Sequence, residues 1–116
     1  MSDEIPREAT LHSQIMNSQP PMSGRRVFAA LGSSVRWKLM RELAGGESKS
    51  VRQLTTAVRG HRDAVSRHLQ IMERAGLVVS QPGVDRRYVF YFVPEQFRRS
   101  AEELDFGCCK VKLSAW

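Results

Sequence analysis

Between Ser23 and Leu77 apolar residues return every three or four positions, in four bursts separated by Gly and Ser breaks. That period marks helices with one buried stripe. The first burst, Gly24–Leu31, carries Val27, Phe28 and Leu31, and Ser23 stands where it can cap the helix. The second begins after Ser33 or Ser34 and runs to Ala44. It places Trp37, Met40 and Ala44 in line beside Leu39 and Leu43, and Gly45-Gly46 stops it. Ser50 and Gln53 form a capping box for a third helix with an inward stripe of Val51, Leu54, Ala57 and Val58. Gly60 supplies the turn that follows. The fourth helix, Arg62–Ala75, buries Val65, Leu69 and Met72, and Gly76 ends it.

The period then changes to two. Leu77–Gln81 and Arg87–Val93 are rich in β-branched and aromatic residues and predict two strands joined through Pro82–Asp85. In the second strand Tyr88, Phe90 and Phe92 alternate with Val89, Tyr91 and Val93, so one set faces the core. Pro94 is placed to open a fifth helix reaching about Leu104. Residues 105–116 form a tail in which Val111, Leu113 and Trp116 predict a short strand. Residues 1–22 form an arm. Pro6, Pro20 and Pro21 bracket Arg7–Asn17, a stretch compatible with a short helix.

A helix, a tight corner, a second helix ending at glycine and a basic hairpin are the parts of a winged helix-turn-helix. The expected fold class is therefore mainly α with a small β-hairpin wing. The organisation is an arm at 1–22, a winged helix-turn-helix at 23–104 and a tail at 105–116. At 116 residues and 41% apolar composition the chain can fill one small core. A monomer of that size is marginal, so dimerisation would help.

The net charge of +6 is unevenly placed. Ser23–Val93 holds thirteen Lys/Arg against five Asp/Glu, a balance of +8, while the flanks together carry −2. The positive charge therefore belongs to the segment with the helix-turn-helix pattern. Neutralising nucleic-acid phosphates predicts that placement, with a solvated basic surface as the alternative.

Ala30-Leu31 before a Ser-Val-Arg-Trp-Lys-Leu-Met helix, then Val65-Ser66-Arg67-His68-Leu69, then Glu73-Arg74-Ala75-Gly76-Leu77-Val78 and Tyr88-Val89-Phe90-Tyr91 carry a resemblance. Over about Arg25–Val93 the chain resembles the ArsR/SmtB family of winged-helix repressors. The resemblance implies a homodimer joined through its first and last helices, repressing transcription at a palindromic operator on double-stranded DNA.

The residues themselves point the same way. With Val65, Leu69 and Met72 inward, Arg62, Asp63, Ser66, Arg67 and Gln70 must face outward. Arg62 and Arg67 can each donate two bonds to guanine in the major groove. Asp63 accepts from cytosine, orients an arginine, or only complements the helix N-terminus. Ser66 and His68 reach phosphate oxygens, or His68 instead braces the helix. His61 stands at the cap position as a weak cap or phosphate contact. Arg86 and Arg87 on the wing can approach a minor groove or phosphates.

Other chemistries find less support. The family's metal sites do not carry over. The helix before the recognition helix reads Ser48-Lys49-Ser50-Val51-Arg52-Gln53-Leu54, without a thiolate, and Glu95–Glu103 has no histidine. His12, His61 and His68 are too scattered for a tetrahedral set. No cofactor is implied, and no Ser-His-Asp or Cys-His set, phosphate loop or carboxylate pair suggests an enzyme. Cys108-Cys109 is either a pair of small apolar fillers or a thiol sensor for a thiophilic inducer such as trivalent arsenic. No apolar run approaches the ~20 residues of a membrane helix, and the first residues lack an apolar secretion segment. The expected location is the cytoplasm. The competing reading is a DNA-associated subunit that acts mainly through a protein partner.

Overall fold

The computed structural model describes residues 22–113. The arm helix and Trp116 lie outside the described residues. Four helices come first: α1 (Gly24–Leu31), α2 (Ser34–Leu43), α3 (Val51–Val58) and α4 (Arg62–Arg74). Strand β1 (Lys49–Ser50) precedes α3, and β2 (Val79–Pro82) and β3 (Val89–Phe92) follow α4. A short 3₁₀ turn at Glu95–Phe97 leads into β4 (Arg98–Ser100), β5 (Glu103–Asp105) and β6 (Lys110–Lys112).

Local chemistry sets the helix starts. Ser23 Oγ accepts from the Arg26 amide at 3.2 Å, and Ser33 Oγ accepts from the Arg36 amide at 3.3 Å. At α3 the box is reciprocal: Ser50 Oγ accepts from the Gln53 amide at 3.1 Å, and Gln53 Oε1 accepts from the Ser50 amide at 2.8 Å. Each bond satisfies an amide that the first helical turn leaves without a partner.

The corner between α3 and α4 differs in one detail from the expectation. Arg59, not Gly60, takes the left-handed conformation, with φ of 55°. Gly60 is needed for another reason. A Cβ there would sit 3.1 Å from Val65 Cγ2, so a side chain would press on α4. At the other end of α4, Gly76 turns left-handed at φ 85° and closes the helix.

The core is one cluster. Val65, Leu69 and Met72 of α4 are fully buried against Leu39, Met40, Leu43 and Leu54. The α3 stripe is narrower than its periodicity predicts: Leu54 is buried, Val51 and Val58 only half so, and Ala57 is exposed. Val51 and Val58 still pack against the edge of the core. The wing sheet has the order β1-β3-β2, all antiparallel, with Ser50 opposite Phe90 and Gln81 opposite Phe90 on the other side. Tyr91 and Val93 are the inward set.

The largest departure follows Pro94. The expected fifth helix is absent. Arg98–Lys112 instead forms a three-stranded antiparallel meander, β4-β5-β6. Leu104 lies opposite Val111, while Glu103 faces Lys112 and Asp105 faces Lys110 across the strands. The apolar pair turns inward and the charged pairs outward. Phe97 and Phe106 meet with ring centroids 5.0 Å apart. Phe97, Leu104, Phe106, Val111 and Leu113 all join the common core. The boundary expected at 104/105 falls inside β5, so the start of the tail is part of this sheet. Phe97 and Leu104 are covered by their own chain and do not form an exposed face.

Candidate nucleic-acid interface

Three elements meet at one open cleft of about 550 Å³. The N-terminal turn of α4 contributes Arg62, Asp63 and Ser66. The start of α3 contributes Ser50, Val51 and Arg52, and the wing contributes Arg87, Tyr88 and Val89. Arg62 and Ser66 are one turn apart and therefore share a face. Both helices point their amino ends at the same space, where partly free amides favour an anion. Arg52, Arg62 and Arg87 add three cationic side chains to it.

The remaining predicted residues take different places. Arg67 and Gln70 are exposed and follow Asp63 at i+4 and i+7, extending the outer face of α4 beyond the cleft. Arg86 is exposed on the wing loop. His61 caps α4 only with its backbone, for its side chain makes no capping bond. His68 turns away from the outer face. It is half-buried, and Arg36 Nη1 lies 2.9 Å from its Nδ1. Burial, then the cations Arg36 and Arg67, lower its pKa, so the imidazole resists protonation. Arg36 Nε donates to the Ala30 carbonyl as well. The sequence pattern did not single out Arg36, Arg52 or Tyr88. Arg52 had a readable signal, since it lies in the first turn behind the capping box.

The wing is held by its own charges. Arg87 donates from Nε and Nη2 to both carboxylate oxygens of Asp85, the shortest contact being 2.7 Å. Its amide also donates to Asp85 Oδ1. These bonds hold the Asp85 carboxyl below its usual range and raise the Arg87 guanidinium above its own. The guanidinium carbon lies 5.9 Å from the Tyr88 ring centroid. Gly83 closes the hairpin, donating to the Tyr88 carbonyl at 2.9 Å. A Cβ at Gly83 would strike the Phe90 ring. At the tip Val84 is fully exposed.

The two cysteines sit on the turn between β5 and β6. Their sulfurs are 3.7 Å apart and both thiols are free. Cys108 is exposed and Cys109 half-buried. Burial, then the bond and charge of Cys108, push the Cys109 thiol up to about 11. Among the described residues no group of three His, Cys, Asp or Glu side chains could hold a metal ion, and no helix is long and apolar enough to cross a membrane.

Known proteins share this fold. Residues 31–81 match the family model of a helix-turn-helix domain. No curated protein matches the chain in sequence. Among solved structures, the transcriptional repressor BigR from Xylella fastidiosa is similar at a TM-score of 0.55 and 18% identity, over 76% of this chain and 81% of that one. The homodimeric winged helix-turn-helix DNA-binding domain of Mb0332 from Mycobacterium bovis, titled "a possible ArsR-family transcriptional regulator", is similar at 0.54 and 25% identity, over 75% and 69% of the two chains. NadR in complex with 4-hydroxyphenylacetate is similar at 0.52 and 23% identity, over 80% and 61%. The fold and the matched domain define the class: a winged helix-turn-helix protein. Within it, the chain is similar in fold to BigR and to Mb0332.

Proposed function

We propose that this protein is a repressor that reads a palindromic operator as a homodimer in the cytoplasm. The observation that carries the reading is the convergence of Arg52, Arg62 and Arg87 on one cleft beside the exposed face of α4. Arg62 and Arg67 supply bidentate donors for guanine, and Asp63 and Gln70 supply polar groups for neighbouring bases. Ser66, Arg52 and the wing residues Arg86 and Arg87 hold phosphates and fix the register. Two copies would place their α4 helices about one DNA turn, roughly 34 Å, apart.

Phe28 supports pairing through α1, since its ring is 63% exposed beside the buried Val27 and Leu31. The homodimeric state of Mb0332 agrees with this. The sheet standing where a last helix was expected favours a second reading, a DNA-associated subunit with a protein partner. Selection of bound duplexes from random DNA tests the first. Recovery of one two-fold symmetric sequence is expected, and sequence-blind, salt-sensitive binding would favour the second. Sedimentation at micromolar concentration, with and without DNA, checks the dimer.

Cys108 and Cys109 are the candidate sensor for a thiol-reactive inducer, supported by the 3.7 Å separation of their sulfurs. Trivalent arsenic would take both: two S–As bonds form, two hydroxyls leave arsenous acid, and the thiol protons leave with them as water. Release of DNA on arsenite addition, absent in a Cys108→Ser/Cys109→Ser variant, is the expected result.

A further inference from the structure

Arg36 lies on α2, away from the cleft, yet it joins three elements. Its amide is capped by Ser33, its Nε donates to the Ala30 carbonyl at the end of α1, and its Nη1 meets His68 Nδ1 at 2.9 Å on α4. A guanidinium has donors only. The bond therefore requires a neutral imidazole accepting at Nδ1, with its proton on Nε2. His68 is next in sequence to Arg67 and one turn beyond Ala64 and Val65, so a shift of its side chain bears on how the outer face of α4 is presented.

We propose that Arg36 is a positioning residue for the recognition helix, and that protonation of His68 breaks this brace and weakens DNA binding. This rests on the DNA-binding reading given above. A protonated imidazole turns Nδ1 into a donor and sets one cation against another. Among the described residues no carboxylate hydrogen-bonds or pairs with the ring. Of the charged groups on elements packed against α4, Arg36 of α2 acts on the ring and Arg67 of α4 adds to it. The sign is unusual for a DNA-binding protein. A histidine facing phosphate would bind DNA more tightly as it gains a proton, because it gains a charge opposite to the backbone. Here the proton acts through position and lowers affinity.

The experiment compares the wild type with His68→Asn and Arg36→Lys from pH 7.5 to 5 at fixed ionic strength. Asparagine has a helix propensity similar to that of histidine and offers an amide oxygen near the place of Nδ1, without a titrating group. Three quantities are read: the His68 imidazole titration by NMR, amide exchange along α4, and affinity for duplexes that the wild type enriches from random DNA. In the wild type the Nε2-protonated tautomer is expected at neutral pH. Acid should then quicken exchange in α4 and reduce affinity about tenfold, the loss of roughly one charge-assisted hydrogen bond. His68→Asn should bind like the wild type at pH 7.5 and stay flat. Arg36→Lys should bind more weakly at pH 7.5, because one ammonium cannot span both Ala30 and His68. Affinity that rises on acidification, or falls equally in His68→Asn, overturns the proposal. If no duplex is bound at all, the DNA-binding reading fails. The brace is then judged by exchange alone: acid sensitivity in the wild type but not in His68→Asn supports it, and equal sensitivity overturns it.

Discussion

Ser80 Oγ donates to Glu73 Oε2 at 2.6 Å, tying the last turn of α4 to the first strand of the wing. Both residues are half-buried. In the proposed DNA-bound state this bond would hold α4 and the wing in one register on adjacent parts of a duplex. Removing the hydroxyl in Ser80→Ala leaves a partly buried carboxylate without this donor. The expected cost is about 1–2 kcal/mol of stability in denaturant titration, with a matching loss of DNA affinity. Unchanged affinity in the variant would show that the wing is held by its strands alone.

Under the proposed function, Asp85 would compete with phosphate for Arg87. The wing arginine already has both carboxylate oxygens as partners, so part of its charge is spent within the protein. Asp85→Asn should raise affinity several-fold for all sequences. It should also steepen the dependence of log affinity on log salt by up to about 0.9, the share of one extra phosphate contact. A titration across salt concentrations reads both.

Arg67 and Arg86 should separate base reading from phosphate holding. Arg67→Ala is expected to cost about 1–3 kcal/mol on the preferred duplex and to relax the preference at one base pair. Arg86→Ala should weaken all duplexes alike. Binding of a panel of single-base variants distinguishes the two patterns. A uniform loss in Arg67→Ala would reassign that residue to the backbone.

Cys108 should react well before Cys109. The Cys109 thiol, pushed up to about 11 by burial and by its neighbour, is almost wholly protonated near pH 8, and the thiolate is the nucleophile. Alkylation rates of Cys108→Ser and Cys109→Ser, read by mass spectrometry, should be slow in the first and fast in the second. Equal rates would mean that the turn opens freely in solution.

Leu104 tests whether the C-terminal sheet belongs to the fold. The side chain is fully buried opposite Val111. Leu104→Ala should cost about 2–5 kcal/mol, as for other buried leucines. A residue on a loose appendage would cost less than about 0.5 kcal/mol.

The four helices and the wing were legible in the sequence because their determinants are local. Ser23, Ser33 and the Ser50–Gln53 pair each bond an amide three residues on, a reach that spacing alone reveals. Val65, Leu69 and Met72 repeat with the helix, so the outward position of Arg62, Asp63, Arg67 and Gln70 followed from counting. After Pro94 counting was not enough. Proline at a first helical position and the run through Ala101 to Leu104 suit a helix locally. Propensity differs by no more than about 0.7 kcal/mol per ordinary residue, while burying one large apolar side chain contributes about 1.5–3 kcal/mol. Phe97, Leu104, Phe106, Val111 and Leu113 reach the core together as strands, and that sum outweighs local preference. The same limit applied to His68. Its place on α4 could be counted, but Arg36 lies thirty-two residues away in sequence, and only the packing of α2 on α4 turned the imidazole towards it.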